Sequence, residues 1–385
     1  MKKILIVAMA DSVHTARWLR QFDDNEIEFV LFPSTPHRRV HSLILQHASI
    51  NAKSTITISK WMKRGGLPLG VADLLLNNRL RSVLLAKAID AFKPDLIHVM
   101  ETQHAGYLAD RALNSTTHKS KLALSIWGSD LFWFQRFPKH QRRIRSVLKR
   151  VDLLIMECKR DQDLALELGY QGKFLDLMPA TGGLDTNRLK ELALIEPPSR
   201  RKHIAVKGYS GFVGLGRDAL KVIEEIEDQI HDFSVIVYSA GLGTWWFSRK
   251  LRKSMGNRIL VARKHTLSNS EIEQMFLRSR VAIGLSLSDG LPATVKEAMC
   301  AGAFPVQTNT SCAGEWFDAD LGGFLVPPND VSAASNALLR AIKDDQLVDA
   351  AMTRNLAISE YRFSEISVRE MSRKIYLNKE ISNQW

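Results

Sequence analysis

The sequence predicts an α/β protein of two domains, each built on a parallel β-sheet with helices on both faces. Its 385 residues give room for two domains of ~100–200 residues each. Short apolar runs alternate with segments of helical periodicity along most of the chain, an order typical of parallel sheets. The alternation lapses between Leu184 and Lys202 and then starts again, which indicates two successive series of strands and helices.

The first series opens with the apolar run Ile4–Ala10, which is followed by a helical pattern at Val13–Phe22. The run is only seven residues long and no convincing cleavage region follows it, which argues against a signal peptide. Its β-branched content favours a buried strand. Further strands are expected at Ile27–Phe32, Leu96–Met100, Leu122–Trp127, Leu153–Glu157 and Phe174–Met178, and further helices at Val83–Phe92 and Ala105–Leu113.

The second series follows the polar, proline-containing segment Glu196–Lys202, which we interpret as a linker. We therefore place the first domain at residues 1–190 and the second at 203–361. Strands are expected at Ile204–Val206, Phe233–Tyr238, Ile259–Val261, Val281–Leu285 and Phe304–Val306, and helices at Asp218–Ile230, Glu271–Arg278, Thr294–Ala301, Val331–Ile342, Val348–Glu360 and Ile366–Leu377.

The charge is basic and unevenly spread. The chain has 53 Lys and Arg against 41 Asp and Glu, a net charge of +12. Residues 1–185 hold 27 basic and 18 acidic side chains, and such an excess indicates an anionic partner for this half. No apolar stretch approaches the ~18–20 residues of a membrane span, so we expect a cytoplasmic protein whose only membrane contact would be peripheral.

The basic excess is densest at Arg136–Arg150, which contains seven Lys or Arg and no acidic residue. Apolar side chains at helical spacing predict a helix here, and four aromatic residues lie in the preceding segment Leu131–Phe137. Aromatic residues beside a basic helix suit an anionic membrane surface. The alternative is an ordinary surface helix with solvated charges. Nucleic acid is not expected as a partner, because the sequence carries no known nucleic-acid-binding motif.

A glycine-rich segment, Lys207–Arg217, lies between a predicted strand and a predicted helix. Its four glycines would let backbone N–H groups approach a phosphate, and the start of the following helix favours an anion. Lys207 and Arg217 would add direct charge. The alternative is a flexible β–α turn.

A second segment, Ser286–Met299, also joins a strand to a helix. Gly290 allows a sharp turn, and Pro292 suits the first turn of a helix because its missing N–H costs nothing there. The N–H groups of that turn would suit a diphosphate, and the Glu297 carboxylate would accept hydrogen bonds from the two hydroxyls of a ribose. The alternative is a capped helix with a surface glutamate.

Asp289 and Glu297 are separated by seven residues, and the sequence around them resembles the E-x7-E region of retaining GT-B glycosyltransferases of the GT4-like group. Other segments resemble that family in the same order along the chain. They are Pro94–His98, Trp127–Asp130, Gly182–Asp185, Thr310–Trp316 and Gly322–Asp330.

The resemblance implies a GT-B fold, in which two Rossmann-like domains with parallel sheets face a central cleft and a C-terminal helix, at about residues 362–385, packs back on the first domain. It implies that Glu297 holds the donor ribose and that Asp289 lies by the donor sugar. The other residues expected at the donor are Lys207, Gly208, Tyr209, Gly211, Arg217, Ser288, Gly290, Leu291 and Thr294.

The sequence departs from the family pattern at three places. The first acidic residue of the motif is Asp289 rather than Glu. The segment Lys207–Tyr209 stands where the family has a Gly-Arg pair, and Arg217 is the nearest later cation. Trp127 stands where many members have a histidine.

Three N-terminal segments follow predicted strands, at the edge where parallel sheets bind ligands. We expect the acceptor there, with Asp130 and His104 as candidate catalytic residues. A structural hydrogen bond is the alternative for the histidines, and a helix cap is the alternative for Asp130. The other acceptor-side candidates are Asp11, Ser12, His14, Gln103, Trp127, Gly128 and Ser129.

The resemblance implies transfer of a sugar, with retention, from a UDP- or GDP-sugar to a hydroxyl of a glycan or lipid-linked acceptor, in cell-surface polysaccharide or glycolipid synthesis. No cofactor and no metal site are expected. The pairs Asp161/Asp163 and Asp318/Asp320 match a metal-nucleotide pattern of another glycosyltransferase fold, and we interpret them as solvated carboxylates. The alternatives are a nucleotide-sugar-binding protein without transferase activity and, more remotely, a dinucleotide-dependent oxidoreductase.

Overall fold

The computed structural model describes residues 2–22, 27–35, 40–50, 57–58, 73, 75–76 and 79–377. The chain divides into two units. The first unit contains the chain up to Gly183 and the C-terminal segment from Glu365, and the second unit contains Leu184–Ser364. The second unit therefore begins before the range 203–361 in which the sequence pattern places the second domain.

The first unit is built on a seven-stranded sheet in the order β3-β2-β1-β4-β5-β6-β7. All neighbouring strands run parallel. The short strand β3 has no counterpart among the predicted strands. The strands are β1 (Lys2–Ala8), β2 (Ile27–Pro33), β3 (Thr57–Ile58), β4 (Leu96–Met100), β5 (Lys121–Ser125), β6 (Leu153–Ile155) and β7 (Lys173–Phe174).

Strand β1 shows why consecutive apolar residues are needed in this sheet. Successive side chains of a strand point to opposite faces. Leu5 and Val7 belong to the core on one face, whereas Ile4 and Ile6 belong to the core on the other. Because both faces are covered, an unbroken apolar run such as Ile4–Ala10 is the pattern of a central parallel strand.

The helices of the first unit include the predicted basic helix, which spans Pro138–Leu148 and buries Ile144, Val147 and Leu148. A π-helix, Thr102–Gly106, follows β4. Among the described residues up to 183, the α-helices with defined bounds are α1 (Val13–Arg20), α2 (Ser42–Ile50), α3 (Arg79–Phe92), α4 (Tyr107–Ala112), α5 (Ser129–Phe132), α6 (Pro138–Leu148) and α7 (Lys159–Glu167).

The second unit is built on a six-stranded parallel sheet in the order β10-β9-β8-β11-β12-β13. Its core includes the apolar side chains of the central strands β8 and β11. The strands are β8 (His203–Lys207), β9 (Ser234–Ala240), β10 (Ile259–Arg263), β11 (Ser279–Gly284), β12 (Phe304–Thr308) and β13 (Phe324–Val326).

The helices of this unit agree with the predicted series, with three additions, α8, α10 and α11, that the sequence pattern did not predict. They are α8 (Thr186–Ala193), α9 (Gly216–Glu225), α10 (Leu242–Phe247), α11 (Arg249–Met255), α12 (Asn269–Arg278), α13 (Ala293–Cys300), α14 (Val331–Lys343) and α15 (Asp345–Arg362). The last helix, α16 (Glu365–Leu377), belongs to the first unit. Residues 378–385, the end of the predicted C-terminal helix, lie outside the described residues.

The segment that we interpreted as a linker is packed against the second unit, so that interpretation is wrong. Pro198–Arg200 forms a 3-10 helix, and Arg201 is almost fully buried. The Arg201 guanidinium donates hydrogen bonds to the carbonyls of Ala193 and Ala301, both at 2.8 Å. A buried cation needs such partners, so this polar segment is part of the unit's structure.

Within the part of the chain that the structure describes, no helix combines the length and the apolar character needed to cross a bilayer.

Candidate functional site

The strand order of the second sheet reverses between β8 and β11, the place where parallel sheets bind ligands at their carboxyl ends. Lys207 is the last residue of β8, and Asp289 lies in the loop after β11. The Lys207 Nζ donates a hydrogen bond of 2.8 Å to the Asp289 Oδ2. The side chains are 6% and 20% exposed, so the two predicted donor segments meet in a largely buried ion pair.

The glycine-rich loop is hydrogen-bonded to its neighbours. The Phe212 carbonyl accepts hydrogen bonds from the N–H groups of Leu287, at 2.8 Å, and Ser288, at 3.2 Å. The Gly216 N–H donates to the Tyr209 carbonyl at 2.9 Å. The loop after β8 and the loop after β11 therefore form one hydrogen-bonded structure.

Three glycines of this loop are required by close packing. A Cβ on Gly208 would lie 2.8 Å from the Tyr238 carbonyl oxygen, and a Cβ on Gly214 would overlap the Tyr209 Cβ. A Cβ on Gly216 would lie 2.8 Å from the Gly208 carbonyl oxygen and 2.7 Å from the Thr244 Oγ1. Gly211 meets a different need, since its φ of +96° lies in the region that favours glycine. Packing and backbone conformation together explain all four glycines in the segment.

Helix α13 carries the second acidic residue of the motif. It begins at Ala293 with Pro292 as its N-cap, one position earlier than the sequence predicts for this proline. Glu297 lies in the middle of the helix and is half-buried. At the start of the helix, the buried Thr294 Oγ1 lies 2.5 Å from the Tyr238 hydroxyl.

The loop before α13 places small and apolar groups at the same edge of the sheet. Ser288, Gly290 and Leu291 are buried, and the Gly290 N–H donates to the Asp289 Oδ1 at 3.1 Å. The donor candidates Lys207, Gly208, Ser288, Asp289, Gly290 and Thr294 thus lie on adjoining loops and elements of one unit.

Arg217 differs from the other donor candidates because it is exposed and forms no ion pair with another described residue. Its guanidinium lies over Gly243, where a Cβ would come within 2.7 Å of it. The predicted pair of phosphate-binding cations is therefore split. Lys207 forms an ion pair with Asp289, whereas the Arg217 guanidinium is exposed at the start of α9.

The first sheet also reverses its order, between β1 and β4, and Glu101 follows β4 directly. Its φ of +75° is unusual for a residue with a side chain. The buried carboxylate accepts hydrogen bonds from the N–H groups of His104 and Ala105, and a third from the His104 Nδ1 at 3.1 Å. Strain at such a position is typical of functional sites. The Glu101 carboxylate caps the π-helix that carries His104.

Asp130 is buried beside Glu101 in the same unit. Its Oδ2 accepts the Thr102 N–H at 2.8 Å, and its backbone carbonyl accepts the Gln103 Nε2 at 2.9 Å. Burial, with a smaller contribution from the nearby Glu101 charge, raises the pKa of Asp130 to about 7. The hydrogen bond to Glu101 raises the pKa of His104 above its usual value. The two predicted catalytic residues of this unit are therefore linked through Glu101.

The remaining acceptor-side candidates lie after β1 and β5. The His14 and Trp127 rings meet edge to face with centroids 5.6 Å apart, and the Trp127 Nε1 is buried without a hydrogen-bond partner among the described residues. Ser12 caps α1 by accepting the His14 N–H at 3.2 Å. Asp11 is exposed. Gly128, at a φ of +84°, precedes Ser129 at the start of α5.

One pair of aspartates departs from the interpretation as solvated carboxylates. Asp161 is fully buried and pairs with Arg160 at 2.9 Å, whereas Asp163 is exposed and pairs with Lys159 at 2.6 Å. Asp318 and Asp320 are exposed, as expected.

Sequence reasoning missed two residues of these sites, Glu101 and Tyr238. Both stand at the carboxyl edge of a central strand, where the rule for ligand binding applies. Tyr238 was included in a predicted strand and given no role. In the structure, burial raises the pKa of Tyr238 well above the usual value and keeps the phenol neutral. Glu101 stands next to the candidates Gln103 and His104, so its strand-end position was the available signal.

Comparisons with known proteins agree with this architecture. A family model described as "Glycosyl transferase 4-like" matches residues 3–158, and one described as "Glycosyl transferases group 1" matches residues 218–356. No curated protein matches the sequence significantly.

Solved structures are similar over almost the whole chain. Anabaena HepE in complex with UDP is 15% identical with a TM-score of 0.66, and the match covers 97% of this chain and 99% of that one. Sucrose-phosphate synthase from Thermosynechococcus elongatus is 12% identical with a TM-score of 0.71, and both chains are fully covered. The UDP-forming α,α-trehalose-phosphate synthase from Burkholderia xenovorans is 13% identical with a TM-score of 0.69, covering 97% of this chain and 99% of that one.

The matches to solved structures show the GT-B fold that the sequence predicts, with two parallel sheets flanked by helices. The family models lie one in each unit and describe glycosyltransferases, whereas neither describes an oxidoreductase. The chain belongs to the GT-B glycosyltransferases of the GT4-like group.

Proposed function

We propose that the protein transfers a sugar from a UDP- or GDP-sugar to a hydroxyl of a glycan or lipid-linked acceptor. The observation that carries this proposal is the Lys207–Asp289 ion pair, which joins the glycine-rich loop to the loop before α13 at the switch point of the second sheet. The relatives give further support, because HepE was solved with UDP and with UDP-glucose and the trehalose-phosphate synthase with glucose-6-phosphate.

The donor would bind to the second unit. Backbone N–H groups near Gly290 and the start of α13 would stabilise the diphosphate, since the N-terminus of a helix favours anions. Arg217, which is exposed, would add positive charge. Glu297 would accept the ribose hydroxyls, and Asp289, oriented by Lys207, would face the donor sugar.

The reaction would proceed with retention and without a metal ion. In such a mechanism the protein needs no nucleophile, and stabilisation of the diphosphate leaving group is an electrostatic task. The departing phosphate oxygen would take the proton of the acceptor hydroxyl. Two assays test these points: the anomeric configuration of the product by NMR, and turnover in excess EDTA, which we expect to be unchanged.

The acceptor would bind to the first unit, where His104 and Asp130 would contact its hydroxyls. A role in polysaccharide or glycolipid synthesis would follow from an acceptor held at a membrane. Peripheral contact through Arg136–Arg150 stays a prediction. It is supported by the exposed side chains of Lys139, Arg142 and Lys149.

Glu297→Ala tests the donor site most directly. Loss of hydrogen bonds from ribose to a carboxylate should cost about 1–3 kcal/mol, which is a ~5–150-fold increase in Kd for UDP or GDP. Titration calorimetry would measure it after a panel of nucleotides has identified the ligand. Glu225→Ala, which removes an exposed glutamate at the end of α9, is the matched control. Equal affinity in wild type and Glu297→Ala would refute the assignment of the ribose site.

A further inference from the structure

Helices α10 and α11 of the second unit present an exposed surface that the proposed reaction does not use. We call it the tryptophan–arginine surface. Its members are Leu242, Trp246, Phe247, Arg249, Lys250 and Lys253.

The apolar members of this surface are unusually exposed. Leu242 is 62%, Trp246 51% and Phe247 38% exposed. Single exposed apolar side chains are common, but three large ones within six residues form a patch that indicates an interaction site. The neighbouring Trp245 is half-buried and packs against the core of the unit, so it anchors the helix while Trp246 faces solvent.

The segment that carries this patch is basic, whereas Glu224 and Glu227 of the neighbouring segment contact it at Lys250 and Ser254. From Gly241 to Lys264 the sequence has seven Lys or Arg and no Asp or Glu. The Arg249 guanidinium lies 3.5 Å from the centroid of the Trp246 ring, and Lys250 pairs with Glu224 of α9. Lys253 is exposed and has no ion-pair partner among the described residues.

The helical geometry aligns apolar and basic side chains. Ser248, between the two helices, has helical dihedral angles, with φ −67° and ψ −5°, and the Arg252 N–H donates to its carbonyl at 2.9 Å. Residues three and four apart on a helix are neighbours. Leu242, Trp246, Arg249 and Lys253 follow this spacing and therefore line one side of the segment.

The basic helix α6 is less suited to the same role. Its apolar side chains are buried in the first unit, and several of its cations are engaged. The Arg143 guanidinium lies 3.7 Å from the Tyr107 ring centroid, and Arg150 pairs with Asp110 at 2.7 Å. Phe137, just before α6, is a single large apolar residue that is exposed.

We infer that the tryptophan–arginine surface docks on an anionic lipid bilayer. Leu242, Trp246 and Phe247 enter the headgroup region, and Arg249, Lys250 and Lys253 contact lipid phosphates. Tryptophan and phenylalanine beside cations are typical of helices that lie in the membrane interface. A soluble polyanion would satisfy the cations but would leave the three apolar side chains in water, which is why the bilayer is the better fit.

The location of the surface connects it with the reaction. Helix α10 follows the carboxyl end of β9, next to β8 in the sheet. The Thr244 Oγ1 of α10 lies 3.2 Å from the Ser210 Oγ of the glycine-rich loop. Docking through α10 and α11 would therefore hold this loop close to the lipid headgroups.

Vesicle flotation with the full chain tests the inference. Wild type should bind vesicles of equimolar phosphatidylglycerol and phosphatidylcholine and should not bind pure phosphatidylcholine. The double variants Trp246→Ser/Phe247→Ser and Arg249→Glu/Lys253→Glu should each bind the vesicles roughly tenfold or more weakly. The first loses the apolar side chains that enter the headgroup region, and the second loses cations that the anionic surface attracts. Arg142→Glu/Lys149→Glu, in the predicted basic segment Arg136–Arg150, tests the competing surface and should keep most of the binding. Lys343→Glu/Arg354→Glu, at exposed cations of α14 and α15, is the matched control.

Fluorescence quenching by brominated phosphatidylglycerol gives an independent measurement. The chain has eight tryptophans, and Trp246→Phe should remove most of the quenching, whereas Trp133→Phe, beside α6, should keep it. Equal quenching in wild type and Trp246→Phe would overturn the inference, as would loss of flotation in Arg142→Glu/Lys149→Glu alone. Heparin binding that matches vesicle binding and is unaffected by Trp246→Ser/Phe247→Ser would also overturn it, in favour of a soluble polyanion.

Discussion

Asp130 lies in an environment unlike that of an ordinary surface carboxylate. It is buried, and the Glu101 charge lies nearby, so its pKa is raised above the ordinary value. A carboxyl group with a raised pKa is held partly protonated near neutral pH, so it can donate as well as accept a hydrogen bond. The raised pKa also lowers the stability of the folded protein at higher pH, because folding must then bury the ionised carboxylate.

Asp130→Asn should therefore stabilise the protein at pH 8 and change little at pH 4. Below the unfolded pKa of about 3.9 the wild-type side chain is neutral in both states. As the pH rises towards 7, the unfolded carboxyl ionises before the folded one, and wild type loses stability relative to the variant. The gain at pH 8 should be roughly 2–4 kcal/mol, and the asparagine Oδ1 can still accept the Thr102 N–H. Thermal unfolding at the two pH values measures this difference.

Asp163→Asn provides the comparison for that measurement. Asp163 is exposed and paired with Lys159 on α7, and an exposed pair contributes at most about 1 kcal/mol. We expect no gain from this substitution at pH 8. If Asp130→Asn left the unfolding temperature at pH 8 unchanged or lowered it, burial of the ionised Asp130 carboxylate would not destabilise the folded wild type.

The candidate residues differ in how far the sequence could predict their contacts. Asp289 and Lys207 each stand at a strand end and could be assigned to one site, but their ion pair depends on the side-chain packing of two loops. Lys207 contacts Asp289 in this pair, and its predicted contact with a phosphate stays a prediction. The position of Glu101 at a strand end could be predicted, but its positive φ and the hydrogen bonds of its carboxylate depend on the tertiary structure.

At the scale of elements, the glycine-rich loop is held in place by the backbone of its neighbours. Gly216→Ala should therefore disrupt it, since the new Cβ would lie 2.7 Å from the Thr244 Oγ1 and 2.8 Å from the Gly208 backbone. Overpacking of this kind costs about 1–3 kcal/mol. We expect a lower unfolding temperature together with weaker binding of UDP or GDP, measured by thermal unfolding and titration calorimetry.

Gly256→Ala separates these two effects. Gly256 has a φ of +56°, and a Cβ there would meet no atom within 4 Å. The substitution should cost only backbone strain, about 1–3 kcal/mol, and should leave nucleotide affinity unchanged. Weaker nucleotide binding in both variants would mean that affinity follows global stability and not the loop geometry.

Central strands were easier to predict than the elements around them. The apolar run at β1 identifies a strand covered on both faces, and β4, β8 and β11 have similar runs. The helices α10 and α11 escaped prediction because their exposed Trp246 and Phe247 break the expected alternation of buried and polar positions. The segment 196–202 was interpreted as a linker because a sequence does not distinguish a buried cation from a solvated one, and Arg201 is buried.

At the scale of the whole molecule, the chain returns at its end to the unit in which it began. Helix α16 follows the whole second unit in sequence but packs with the first. Its Tyr376 is buried, and the hydroxyl lies 2.9 Å from the Trp18 Nε1 of α1 and 2.6 Å from the His98 Nδ1 of β4. The His98 Nε2 in turn lies 2.7 Å from the Ser125 Oγ of β5.

This network works with a neutral histidine. Burial lowers the pKa of His98 to about 3, so the ring carries one proton near neutral pH. The Trp18 N–H can only donate, and the Tyr376 hydroxyl can accept it and donate to the His98 Nδ1. The remaining ring proton is then on Nε2 and is donated to Ser125. Three elements of the first unit are thereby tied to the last helix of the chain.

Tyr376→Phe should destabilise the first unit by roughly 2–4 kcal/mol, because it leaves the Trp18 donor and the His98 acceptor buried without partners. The aromatic ring is kept, so packing against Phe22 and Phe29 is largely preserved and the loss reports the hydroxyl. Hydrogen exchange of β4 and α16 amides, followed by mass spectrometry, should show faster exchange in both elements together. Tyr361→Phe, at a side chain that is 82% exposed, should change neither. Faster exchange in α16 with no effect on β4 would mean that the network does not couple the end of the chain to the central sheet.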